Sequence, residues 1–184
     1  MMRSHPVLAA LLALAAALPL DLAAEVKGAA ADGFIIVHSR RVDAAPAKVY
    51  AALPAIDHWW NAEHSYSGNA ANLSLKAEAG GCFCERWQGG EVEHGRVVMA
   101  LRDQVLRLQA ALGPLQGRGV NGVLTFQLKP DDATGKATQL TLSYVVNGAS
   151  ASALDQSAAG VDRVLGEQFE RLVRYVETGK PAAP

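Results

Sequence analysis

Only one stretch of this chain repeats its apolar residues at helical spacing over a long span, and it comes last. Val161, Leu165, Gln168, Leu172 and Val176 recur three to four residues apart, flanked by Val164, Phe169 and Tyr175. Arg163, Glu167, Glu170, Arg171, Arg174 and Glu177 fall mostly on other faces, which predicts one long amphipathic helix. Glu167 and Arg171 form an i,i+4 pair in the favourable order. Gly179 followed by Pro181 marks the end. Between residues 34 and 146 the dominant period is two. A sheet built from those segments needs cover for its apolar face, and this helix is the one element long enough to supply it.

The period-two segments are as follows. Phe34 to Val42 is apolar and β-branched and reads as the first strand. Asp43-Ala44-Ala45-Pro46 then opens a short helix carrying Val49, Tyr50 and Leu53. Pro54 interrupts it, and Ile56, Trp59 and Trp60 mark a second short helix. Leu73 and Leu75 alternate with polar neighbours. Leu106, Leu108, Ala110 and Leu112 share one face, Val123 to Leu128 forms another strand, and Leu140, Leu142, Tyr144 and Val146 line one side of the last. The expected fold is α+β: a curved antiparallel sheet of about seven strands wrapped on the C-terminal helix, with two short helices after strand one. Such a sheet leaves space at one end, so a cavity is expected there.

The run from Gly80 to Met99 reads as a β-hairpin turning at Gly89-Gly90. Alternation then places Phe83, Glu85, Trp87, Val92, His94 and Arg96 on one face, with Glu85 opposite His94. Cys82 and Cys84 fall on the other. Two positions apart on an extended strand, their α-carbons are ~6.5–7 Å apart with parallel side chains, so no internal disulfide is expected. Free thiols or an intermolecular bridge remain open.

The N-terminus has the grammar of an export signal. Arg3 precedes an apolar run from Val7 to Leu20, and Leu22-Ala23-Ala24 supplies small residues before Glu25. The run falls short of the roughly 20 residues that span a bilayer. The expected organisation is a signal peptide over 1–24, a small-residue linker over 25–32, one domain over 33–180 and a tail over 181–184. A periplasmic or secreted bacterial protein is expected, with retention of the segment as an anchor the alternative and no stable membrane span after cleavage. Net charge is −1 with acids and bases scattered, so no basic stripe supports nucleic-acid binding.

Asp43 to Tyr50 entering the first helix, Trp59-Trp60 after the second and Gly80-Gly81-Cys82-Phe83 opening the hairpin resemble the START-like or Bet v 1-like (SRPBCC) superfamily. Leu112 to Leu115, Tyr144 to Gly148 and Val161 to Leu165 are similar to its bacterial polyketide cyclase and heat-shock-ATPase-activator-like branch. The resemblance covers roughly Phe34 to Lys180. It implies a helix-grip fold with a hydrophobic cavity, and an inward-pointing aromatic after the Gly-Gly pair. The superfamily has no universal catalytic residues, so none is carried over.

The candidate ligand-lining residues are Trp59, Trp60, His64, Tyr66, Phe83, Glu85, Trp87, His94, Arg96, Tyr144 and Phe169. Glu85 and His94 are also the candidate catalytic pair, since a carboxylate can orient an imidazole and raise its basicity; the alternative is a hydrogen-bonded pair that secures the sheet. Cys82, Cys84, His94, His64 and Glu63 are ligand types zinc accepts, but the cysteines and His94 fall on opposite faces, and no metal or cofactor is expected. No G-x-S-x-G turn occurs, and Gly117 to Gly122 lacks the lysine of a phosphate loop. Three functions follow: a carrier of a small hydrophobic or amphipathic molecule, a cyclase- or dehydratase-type enzyme using Glu85 and His94, and a co-chaperone-like module that requires an exposed apolar patch.

Overall fold

A computed structural model describes residues 25–131 and 133–182. The signal peptide expected over 1–24 lies outside the described residues. Eight strands form one antiparallel sheet: β1 (Glu25–Ala30), β2 (Gly33–Val42), β3 (Leu73–Leu75), β4 (Cys82–Trp87), β5 (Gly90–Leu101), β6 (Val105–Gln109), β7 (Asn121–Pro130) and β8 (Thr138–Asn147). Their spatial order is β1-β2-β8-β7-β6-β5-β4-β3. Two short helices, α1 (Pro46–Ala52) and α2 (Ile56–Trp59), follow β2, and α3 (Asp155–Thr178) closes the chain. This is the expected helix-grip arrangement, with one more strand than the alternation predicted.

The extra strand is β1, in the stretch expected to be a linker. Gly28-Ala29-Ala30 has no strand-forming side chains, yet its backbone pairs with Phe34, Ile35 and Gly33 of β2. Main-chain pairing makes this half a strand, and Val26 in the other half packs against the core.

Helix α3 begins six residues before its apolar period becomes legible and lies against β2 and β1. Leu165, Phe169, Leu172 and Val176 meet Ile36, Leu106, Leu108, Leu124, Phe126, Leu140 and Leu142 from the sheet in one core. Each such side chain contributes roughly 1.5–3 kcal/mol on burial. Where β6 ends against β7, packing is tighter still. A Cβ on Gly122 would stand 2.1 Å from the Ala110 carbonyl oxygen, so no side chain fits there. On the outer face, Ile35, Val145 and Val123 are cross-strand neighbours on β2, β8 and β7 and all are exposed.

Two features of the β4–β5 hairpin differ from the alternating pattern. Trp87 pairs with Gly90, so the two-residue turn is Gln88-Gly89, with Gly89 at φ 97°. This moves the register by two residues and leaves the faces unchanged. Further along, Phe83 pairs with Gly95 while Cys84 pairs with Glu93, which leaves His94 as the extra residue of a β-bulge. A bulge reverses the alternation beyond it. His94 and Gly95 are consequently both buried, and Arg96 is turned outward.

Candidate functional site

A cavity of about 580 Å³ lies between three walls. The first is the chain just after α2: Trp60, Glu63, His64, Ser65 and Tyr66. The second is Leu112 to Leu115 with Arg118, between β6 and β7. The third is the first half of α3: Ser157, Gly160, Val161, Val164 and Leu165. His94 reaches the cavity from β5. The volume falls within the roughly 300–1,000 Å³ of small-molecule sites.

His94 is the bulged residue and keeps the inward direction that alternation from the turn gives it. Its Nε2 lies 3.0 Å from Oε2 of Glu85, which is fully buried on β4. Glu85 also accepts hydrogen bonds from the backbone N–H of Tyr66 at 3.0 Å and of Ser67 at 2.5 Å. Burial pushes the Glu85 carboxyl up, but the hydrogen bonds from Ser67, Tyr66 and His94 outweigh it and hold the group below its ordinary 4.5. Burial pulls the His94 imidazole below its ordinary 6.5 against the opposing effect of Glu85. At neutral pH the pair is therefore carboxylate and neutral imidazole. A carboxylate only accepts, so the ring proton sits on Nε2 and Nδ1 carries a free lone pair. The ring is held between Phe83, at 4.8 Å, and Tyr66, at 5.8 Å.

Both shifts act in the same direction on stability. The unfolded chain takes up a proton at His94 before the folded protein does, so this contribution is complete above about 6.5 and falls as pH drops from there through the lowered folded value. The Glu85 contribution is present above 4.5 and is lost as pH falls through its own lowered value. Urea denaturation between pH 7.5 and 5.5 is expected to show a smaller loss of stability in His94→Gln than in the wild type. Equal losses would remove His94 as the titrating group.

The wall after α2 is tied to α3 by polar side chains. Glu167 accepts from Asn61 Nδ2 at 2.6 Å and lies 3.1 Å from His64 Nε2. Gln168 accepts from the Asn61 N–H at 2.7 Å, and Arg171 Nε donates to the Trp59 carbonyl at 2.8 Å. Glu167 and Arg171, a mutual pair by spacing, each serve this junction. Desolvation pushes the Glu167 carboxyl up, but its bonds to Asn61 and His64 prevail and lower it. Tyr66 is half exposed and spans the mouth, its hydroxyl donating to the Gly113 carbonyl at 3.1 Å.

Of the candidate residues, Trp60, His64, Tyr66 and His94 line the cavity. Glu85 and Phe83 stand behind His94. Trp59 is core, its indole N–H donating to the Ala52 carbonyl. Tyr144 is fully buried, donates to the Ala110 carbonyl and accepts from the Leu112 N–H; burial pushes its hydroxyl up to about 12. It thus holds the second wall from behind. Phe169 packs beside His38 in the core, and Trp87 lies over Gly90 on the hairpin. Arg96, expected inside, is exposed and pairs with Glu93 because the bulge reverses its direction.

The sequence reading also missed a second buried pair. His38 Nε2 of β2 lies 3.0 Å from Asp162 Oδ1 of α3, but out of line for a hydrogen bond, and neither atom has another hydrogen-bond partner. Gly166 makes room for this imidazole, since a Cβ there would come within 2.9 Å of the ring.

Cys82 and Cys84 form a disulfide, contrary to expectation. Their α-carbons are 5.4 Å apart, drawn in from extended spacing beside the bulge, where the β4–β5 register shifts between Phe83 and Cys84. The two sulfurs and a Glu93 oxygen are mutually close enough to hold a cation, but sulfurs joined to each other are not thiolate ligands. Among the described residues no helix is long and apolar enough to cross a membrane.

No protein-family model matches the chain, and no curated protein does. Solved structures share the fold. A protein from Mesorhizobium loti is 20% identical with a TM-score of 0.55, over 76% of this chain and 94% of its own. One from Arthrobacter aurescens is 15% identical with a TM-score of 0.58, over 88% and 95%. A conserved protein of unknown function from Enterococcus faecalis is 16% identical with a TM-score of 0.53, over 88% and 80%. At these identities the likeness defines a helix-grip-like sheet with a C-terminal helix.

Proposed function

We propose that this protein is an exported carrier or sensor that holds a small hydrophobic or amphipathic molecule between its sheet and the first half of α3, as a member of the START-like superfamily. The observation that carries this reading is the cavity of about 580 Å³. Leu112, Pro114, Leu115, Val161, Val164 and Leu165 give it apolar walls, while His94, Arg118 and His64 supply a few polar groups. That mixture suits a ligand with an apolar body and one or two polar atoms. Export rests on the N-terminal sequence. Titration with N-phenyl-1-naphthylamine, a neutral probe that fluoresces in apolar surroundings, is expected to saturate at one probe per chain. A linear, non-saturating response would overturn the carrier reading.

A second reading rests on a different observation, the free Nδ1 of an oriented, neutral imidazole at the cavity. His94 would act as a general base, with Glu85 fixing its tautomer, in an aldol-type cyclisation or a dehydration. The readings separate at His94→Gln: a carrier keeps its probe affinity and has no turnover to lose, whereas an enzyme keeps affinity and loses turnover.

A further inference from the structure

The Cys82–Cys84 disulfide does chemistry that the cavity does not require. A disulfide stabilises chiefly by restricting the unfolded chain, and the restriction shrinks with the loop it closes. This one joins residues two positions apart. Both already lie in a strand paired on two sides, Cys82 with Arg96 and Cys84 with both Glu93 and Ser74. Its contribution to the fold is therefore close to the least a disulfide can make.

Its surroundings distinguish the two sulfurs: a Glu93 oxygen lies 4.0 Å from Cys82 Sγ and disfavours negative charge there, while a cation stands beside Cys84. The pair lies on the face of β4 opposite Phe83 and Glu85, away from the cavity. Cys82 is half-buried and Cys84 is covered, which makes Cys82 the sulfur open to attack. The Arg86 guanidinium lies 3.7 Å from Cys84 Sγ. A cation beside a sulfur stabilises the thiolate and makes it a better leaving group.

We infer that Cys82 and Cys84 form a thiol–disulfide exchange site that reacts with small thiols or with a dithiol of a partner protein. An external thiolate attacks Cys82 Sγ. The Cys82–Cys84 bond breaks, and its electron pair leaves on Cys84 Sγ beside Arg86. A second external thiolate then attacks the outer sulfur of the mixed disulfide and releases Cys82 as a thiolate. The net change is one disulfide reduced and two external thiols oxidised to one disulfide, with two protons passed to the cysteines at low pH. The reverse sequence reoxidises the pair.

The test equilibrates the full chain in glutathione buffers of graded ratio, quenches with acid, alkylates with N-ethylmaleimide and counts adducts by mass spectrometry. Near-ultraviolet circular dichroism monitors the fold in the same samples. Two adducts on folded protein, reversed by oxidised glutathione, are expected. Adducts that appear only once urea has unfolded the chain would overturn the proposal. In a kinetic arm with the wild-type disulfide as substrate, Arg86→Gln is expected to slow reduction at least about threefold, the effect of losing charge stabilisation of the leaving thiolate. An unchanged rate would overturn the leaving-group role of Cys84.

Discussion

Glu85→Ala is expected to lower the unfolding free energy by about 3 kcal/mol, because three donors lose their acceptor at roughly 1 kcal/mol or more each. The carboxylate is fully buried and receives three donors: the N–H groups of Tyr66 and Ser67 and the His94 ring. Alanine strands all three, and each buried donor left unpaired costs roughly 1–3 kcal/mol. Against a total stability of about 5–15 kcal/mol for a domain, the loss is a large fraction. Urea denaturation at pH 7 measures it. Glu85→Gln, which keeps an acceptor oxygen, is expected to lose less. A change below about 1 kcal/mol in Glu85→Ala would show that the three donors find other partners. The same variant frees Tyr66 from its anchor, so the mouth of the cavity loosens together with the fold.

The second large effect concerns the helical wall. Val161 and Val164 are three residues apart on α3, lie on one face and border the cavity. The double variant Val161→Trp/Val164→Trp places two indole rings in that space. Both positions are only half-buried, so the rings have room to extend into the cavity without forcing the core. Affinity for N-phenyl-1-naphthylamine is expected to fall at least about tenfold, equivalent to about 1.4 kcal/mol. Thermal unfolding of the same variant tests whether the fold is intact. An unchanged affinity in a folded double variant would place the probe elsewhere and remove this cavity as the binding site.

What could be read from the residues tracks what is local. The helical period at Leu165, Leu172 and Val176 and the alternation at Leu140, Leu142 and Tyr144 are local patterns, and both elements stand where they were expected. Alternation places Glu85 and His94 on one face, as observed, but the strand partner of Glu85 is Val92 and not His94, because the turn lies one residue earlier than Gly-Gly suggests. Arg96 was misplaced because a bulge depends on crowding across the sheet. A Cβ on Gly95 would stand 2.6 Å from that of Ala110, a contact that hairpin spacing does not reveal. The disulfide departs from expectation because its α-carbons stand 5.4 Å apart, closer than regular extended spacing allows, next to the register shift between Phe83 and Cys84. β1 was missed because Gly28 to Ala30 pairs through backbone alone. The roles of Asn61, Glu167 and Arg171 depend on where α2 docks, which no short spacing encodes.

The place of β2 in the sheet has a consequence for how the chain is made. Val42 pairs with Thr138 and Gly33 with Asn147, so one of the first strands synthesised waits roughly a hundred residues for its main partner. The strands from β4 to β8 meet neighbours adjacent in sequence and can assemble as they emerge. β1 and β2 pair with each other, but their hairpin joins the rest of the sheet only through β8, and the helix that covers them is translated after all eight strands. The apolar side chains of β2, Ile36 among them, are thus the longest exposed during synthesis. A holding factor that recognises nascent apolar segments would find its site in the N-terminal third of this protein and release it when α3 arrives.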